Sequence, residues 1–182
     1  MQYAVDLINT YRVNTGDDAI GSLDGLSAFA RHRTLELPDP GDLATLQEHR
    51  GALRAVFATE DLCEAVERVN DLLAVHNCAP RLVAEPGNLH VHFEPRALAL
   101  GPYLAAITTV ALMFTVCDYG IDRLGICADP TCQRAYIDTT KNGQKAYCSS
   151  TCAQRINVAA FRARRRHAST QSTSPNPPKK SQ

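Results

Sequence analysis

Cys127-Ala-Asp-Pro-Thr-Cys132, followed after fifteen residues by Cys148-Ser-Ser-Thr-Cys152, gathers four of the seven cysteines of this 182-residue chain into two close pairs. Zn²⁺ takes four thiolates in a tetrahedron, and each close pair spans one edge of it. A proline-containing turn separates the first pair and lets both sulfurs face one point. The second pair is spaced i, i+4, so at the start of a helix its sulfurs fall on one face about one turn apart. The insert holds two strand-like runs, Gln133 to Ile137 and Lys145 to Tyr147, around Asn142-Gly143, a strong hairpin-turn signal. Turn, hairpin and helix around four cysteines is the order of a treble-clef zinc finger. The spacing predicts a structural Zn²⁺ site on Cys127, Cys132, Cys148 and Cys152. Two disulfides would demand an oxidising compartment. A redox switch, in which oxidation ejects the metal, would use the same four residues.

Nothing breaks a helix after Cys152. At about 100° per residue, Arg155, Arg162 and Arg166 share one stripe, and Arg164 and Arg165 make the far end basic almost all round. A helix C-terminus needs only one or two positive charges to complement its dipole. Arginine also suits phosphate forks and bidentate contact with guanine. Arg155, Arg162, Arg164, Arg165 and Arg166, helped by Lys141 and Lys145, are therefore the candidate DNA contacts. The charge balance agrees. The chain is neutral as a whole, yet residues 1–122 carry 8 Arg against 17 Asp and Glu, a balance of −9. Residues 123–182 carry 11 Lys and Arg against Asp129 and Asp138, a balance of +9. Such asymmetry points to a polyanion partner for the C-terminal part and a different task for the acidic part.

From Leu124 to about Arg166 the chain resembles the CGNR zinc-finger family. The likeness rests on the cysteine pairs, Tyr136-Ile-Asp-Thr139, Lys141-Asn-Gly143, the aromatic before Cys148 and the arginine-rich helix. Ala4-Val-Asp-Leu-Ile-Asn-Thr10 is similar to the opening motif of ABATE, the helical domain that precedes this finger in the family. The resemblance implies a stress-responsive bacterial transcription regulator that binds DNA. The family tetrad Cys-Gly-Asn-Arg reads Cys152-Ala153-Gln154-Arg155 here, which keeps the metal ligand and the arginine but changes the two residues between them.

Residues 1–12 form an apolar segment in which Asp6, Asn9 and Thr10 are expected to cap or hydrogen-bond neighbouring backbone. Asn14 to Asp18 is a turn cluster. A short helix is expected after Asp24, with Leu26, Phe29 and Ala30 on one side. Asp42 should open a longer helix with a stripe of Leu43, Leu46, Leu53, Val56 and Phe57. Thr59-Glu-Asp-Leu62 opens a third, burying Leu62, Val66, Val69, Leu72 and Leu73. Cys63, Cys78 and Cys117 read as small buried apolar residues. Arg81 to Ala84 and Leu89 to Phe93 read as a hairpin with Leu89, Val91 and Phe93 buried and His90 and His92 wet. Two histidines at i, i+2 lack the further ligands a metal needs. Ala97 to Cys117 is uncharged but divided by Gly101-Pro102. Its helical part from Tyr103 is shorter than the roughly 20 residues of a membrane span, so it is expected to be a core helix.

The predicted fold is mainly α with a small β-hairpin: a helical ABATE-like domain at 1–122, a treble-clef-like four-cysteine finger at 123–167 and a disordered tail at 168–182. No signal peptide is visible and cysteine usage favours reduced thiols, which places the chain in the cytoplasm. No nucleotide-binding or nucleophile motif is present, so no enzyme is expected. Beside DNA, a homodimer or the transcription machinery are the candidate partners, with no membrane. The rival readings are a protein-interaction adaptor and a zinc-thiolate redox sensor.

Overall fold

The computed structural model describes residues 1–31, 38–94 and 99–171. It divides into two compact units, Met1–Cys148 and Ser149–Gln182.

The first unit is built on three helices and their two short partners. α1 (Gln2–Ile8) and α2 (Leu23–Ala30) cover α3 (Pro40–Ala58), which packs against α4 (Leu62–Val75) and α5 (Leu100–Tyr119). Leu7, Ile8, Leu26, Leu46, Leu53, Val56, Leu104 and Leu112 are almost fully buried and form one cluster. Each such side chain contributes about 2 kcal/mol of transfer free energy, which is what holds helices of this length in place.

The helix starts differ from the sequence expectation by a few residues, for one reason each. Ser22, not Asp24, caps α2, its side chain accepting from Gly25 N–H. Asp39, not Asp42, caps α3, with Pro40 in the first turn. Asp42 sits three residues in and completes a capping box by accepting from Asp39 N–H at 2.9 Å. The buried Asp42 also accepts the N–H of Gly101 at 2.7 Å, so one carboxylate joins the starts of α3 and α5. A Cβ on Gly101 would lie 2.7 Å from the Asp42 backbone, so glycine lets these two helix starts meet. α5 therefore begins before Pro102, which is tolerated in the first helical turn. Its 20 residues are long and apolar enough to cross a membrane by length and composition alone, and half of them are buried inside the unit. Thr108 and Thr109 return their hydroxyls to carbonyls one turn back, which makes them compatible with the core.

In α4 the buried positions are Ala65, Val69 and Leu72, whereas Leu62 and Val66 are exposed. Val69, Leu72 and Leu73 keep the expected stripe, and its edge shifts from Leu62 and Val66 to Ala65, by well under one residue's turn. Cys63 and Cys117 are exposed and Cys78 is half-buried, contrary to the expectation that all three are core residues.

β1 (Ala79–Glu85) and β2 (Asn88–Glu94) form the expected antiparallel hairpin through Pro86-Gly87, with Leu82 opposite Val91. Its burial is not as expected. Leu82, Leu89 and Val91 are more than half exposed, and Phe93 meets the ring of Phe114 at 5.5 Å. His90 and His92 meet through their Nε2 atoms at 2.8 Å.

After a 3₁₀ turn at Ile121–Arg123, β3 (Leu124–Ile126) pairs antiparallel with β4 (Ala135–Ile137), and these strands pack on α3 and α1. The second unit is α6 (Ser150–Gln171), a helix of 22 residues. It runs past His167, where a disordered tail was expected to begin; residues 172–182 of that tail lie outside the described residues.

Candidate metal centre and basic helix

The turn between the first two cysteines is organised by Asp129. Its fully buried carboxylate accepts from the N–H and the hydroxyl of Thr131 through Oδ1, at 2.9 and 2.8 Å. Its carbonyl accepts from Cys132 N–H at 2.9 Å and Gln133 N–H at 3.2 Å. The chain then leaves through Gln133 in the left-handed region, φ 51°, and Cys127 N–H returns to the carbonyl of Arg134 at 2.8 Å. Cys127 and Cys132 are thus presented by a tight knuckle that extends the β3–β4 ladder.

The partner of β4 is not the run from Lys145 to Tyr147, as the hairpin signal suggested. Asn142-Gly143 does turn, with Gly143 at φ 63°, but side chains take over the backbone groups of Lys145. Asp138 accepts its N–H at 2.8 Å, and the Tyr136 hydroxyl donates to its carbonyl. With both groups satisfied locally, Lys145 has none left for a strand ladder. Asp138 also accepts from Thr140 N–H. Hydrogen bonds to Thr140, then to Lys145, and the nearby Arg123 guanidinium pull its carboxyl down to about 2. The Tyr136 ring lies across Gly125, where a Cβ would stand 2.7 Å from it. Burial first, then the charge of Asp138 and the thiols of Cys127 and Cys148, push the Tyr136 phenol up.

The Sγ atoms of Cys127, Cys132, Cys148 and Cys152 lie within 4.8 Å of one another, and none of the four is in a disulfide. Cys132 and Cys148 sulfurs are 3.6 Å apart, and Cys148 N–H points at Cys127 Sγ at 3.4 Å. Cys127 and Cys152 are buried, Cys132 and Cys148 half-buried. Among the described residues no other group of three or more His, Cys, Asp or Glu donors comes together, His90 and His92 included.

Cys148 precedes α6 and Cys152 lies in its first turn. Ser149 starts the helix, its Oγ accepting from Cys152 N–H at 3.3 Å and its carbonyl from Ala153 N–H at 3.2 Å. Arg155, Arg162, Arg164, Arg165 and Arg166 are all exposed on α6, with Arg165 over the Phe161 ring at 5.9 Å. Thr151, Gln154, Arg155, Val158 and Arg162 line one shallow face of the helix. Lys141 is exposed in the turn, whereas Lys145 is half-buried, its Nζ 5.0 Å from the Tyr136 ring centre and 3.5 Å from the carbonyl of Ile137.

Three side chains of the site carried no sequence signal as chemistry. Asp129 and Asp138 stand out in the sequence only as the two acids of a basic stretch, Asp138 also as part of Tyr136-Ile-Asp-Thr139, yet both are buried and organise the finger. Asn9, expected only to bond some neighbouring backbone, joins α1 to the finger: its amide pairs with both backbone groups of Ala135. Asn14 adds a second tie, donating to the carbonyl of Thr131 at 2.7 Å.

Two family models match the chain. One, described as CGNR zinc finger, matches residues 123–165. The other, ABATE, described as "Putative stress-induced transcription regulator", matches residues 2–116. No curated protein matches it.

Proposed function

The chain belongs to the ABATE family and carries a CGNR zinc finger, and from that premise we propose that it is a zinc-dependent, DNA-binding transcription regulator of the cytoplasm rather than an enzyme. The observation that carries this reading is the gathering of four thiols within 4.8 Å beside the first turn of an arginine-bearing helix.

The donor set fits zinc. Zn–S bonds of about 2.3 Å in a tetrahedron put sulfurs about 3.8 Å apart, and Cys132 and Cys148 stand at 3.6 Å. Zinc held by Cys127, Cys132, Cys148 and Cys152 has no open position, so its chemistry is structural: it ties the knuckle to the start of α6. The N–H of Cys148 stabilises the Cys127 thiolate in that state. Arg155, Arg162, Arg164, Arg165 and Arg166 then meet phosphates and base edges, with Lys141 adding to the phosphate attraction. Lys145 is left with a smaller share, since its ammonium is engaged within the finger.

Salt dependence tests the arginine roles. Binding of the zinc-loaded chain to duplex DNA is expected to weaken linearly in log–log form, and Arg162→Ala and Arg166→Ala should each lower the slope by about 1. Unchanged slopes in both variants would remove α6 from the interface.

A second reading has its own observation. Val158 and Phe161 are about half exposed on the same helix, which suits docking on an acidic protein such as part of the transcription machinery. It predicts weak, salt-sensitive DNA binding without a preferred sequence.

A further inference from the structure

The hairpin β1–β2 sorts its side chains by face. In an antiparallel ladder, residues directly opposite one another share a side. The register therefore sets Pro80 with Phe93, Leu82 with Val91 and Ala84 with Leu89 on one face, and all six are apolar. Arg81 with His92, Val83 with His90 and Glu85 with Asn88 take the other face. The rings of His90 and His92, 4.6 Å apart, meet on that second face.

At its base the apolar face reaches α5, where Phe93 packs on Phe114. Towards the turn it lies open. Leu82 and Leu89 are each 67% exposed and Val91 is 51% exposed, while Phe114 continues the surface at 46%. Pro80 and Ala84 are exposed as well. Together they present roughly 500 Å² of apolar surface, a size that marks an interaction site rather than scattered apolar residues. Among the described residues no third strand joins this sheet. A two-stranded ribbon is marginal in water unless its apolar face is covered.

We propose that a second copy of this chain provides the cover: Leu82, Leu89 and Val91 of one hairpin pack on the same residues of the other across a two-fold axis, with Phe93 and Phe114 at the edge of the contact. The partner has to offer an apolar surface of similar size and no charge, because the face carries none. A two-fold axis meets both conditions by setting the patch against itself. Joining two such faces removes roughly 1,000 Å² in total, the lower bound of a specific interface. Contact through the outer edge of β1 is discouraged by Pro80, which offers no N–H, and by the charges of Arg81 and Glu85. An anionic lipid surface is opposed by the −9 balance of residues 1–122. The contact belongs to the N-terminal part and stands whether or not α6 binds DNA.

Sedimentation equilibrium of the full zinc-loaded chain tests it. The expected result is a reversible passage, within the micromolar range, from the 19.8 kDa monomer to a dimer of twice that mass. Leu82→Lys and Leu89→Lys, at exposed positions, should each weaken the dimer by roughly ten-fold or more, since each change enters the interface twice. Asn88→Lys adds the same charge on the opposite face and should leave the dimer as it is. Isotope-filtered NMR on mixed labelled and unlabelled parent chain needs no variant, and contacts between copies are expected at the Leu82, Leu89 and Val91 methyls. A monomer throughout the micromolar range overturns the proposal, including one that collects on neutral lipid vesicles instead. So does a dimer that both leucine variants leave unchanged, or one without methyl contacts between these residues.

Discussion

Asn9 holds both backbone groups of Ala135, Nδ2 donating to its carbonyl at 3.0 Å and Oδ1 accepting its N–H at 2.9 Å. The residue that closes α1 thus acts as a strand partner for β4, 126 residues away. Asn9→Ala leaves both groups of Ala135 unpaired and is expected to destabilise the first unit by about 2 kcal/mol. Asn9→Asp keeps the acceptor but loses the donor, so it should recover only part of that loss. Urea unfolding of the three proteins checks the order, and amide exchange at Ala135 should quicken more in Asn9→Ala than in Asn9→Asp, which still accepts that N–H.

Gly101 and Asp42 make the second long-range junction. Gly101→Ala places a methyl 2.7 Å from the Asp42 backbone, and the start of α5 has to move away from α3. Loss of stability by about 2 kcal/mol is expected, a typical overpacking cost. A melting temperature equal to that of the parent would mean the two helix starts are not held this close.

The buried His49 makes stability depend on pH. Its folded value, about 3, lies below the ordinary 6.5. Between these values the unfolded chain binds a proton that the folded chain does not, so stability rises with pH. The histidine costs nothing above about pH 6.5 and destabilises progressively as pH falls from there towards 3, by up to about 1.4 kcal/mol per unit. Asp18 adds to acid sensitivity lower down. Its hydrogen bonds to Arg50 lower its pKa, so its contribution is present above 3.8 and lost as pH falls further. Urea midpoints from pH 8 to 5 should fall in the parent and flatten in His49→Gln.

Asp129 is buried between the first two candidate metal ligands, Cys127 and Cys132, and holds their turn through Thr131. Asp129→Ala should weaken zinc binding by about ten-fold or more, the usual effect of removing a group that orients metal ligands. Asp129→Asn keeps an acceptor oxygen and should retain more affinity. Competition with a chromophoric chelator measures both, and equal affinities in all three proteins would relieve Asp129 of this role.

The four cysteines, the helices ending at Ala58 and Val75, the outer hairpin and the helix after Cys152 were legible because each has a local signal: spacing, periodicity or a turn pair. What was not legible was decided by distant partners. Lys145 to Tyr147 has strand composition, but Asp138 and Tyr136 claim the backbone groups of Lys145, so β4 pairs with β3 instead. Leu89 and Val91 alternate as a half-buried strand should, yet both are more than half exposed, while Phe93 on the same face meets the ring of Phe114. Asp39 rather than Asp42 is the cap: its carboxylate accepts from Asp42 N–H, while the Asp42 carboxylate is taken by the N–H groups of Asp39 and of the distant Gly101. The histidine pair shows no sequence motif: His49 and His76 are 27 residues apart and meet only because α3 and α4 fold back on each other.

Selection of duplex DNA from a random pool by the zinc-loaded chain, at near-physiological salt and again after chelation, tests the central claim most directly. A motif that is enriched with zinc and lost without it is the predicted result. Binding that enriches no sequence and falls steeply with salt would reflect phosphate attraction alone, and would contradict a sequence-reading regulator in favour of a finger that docks on protein.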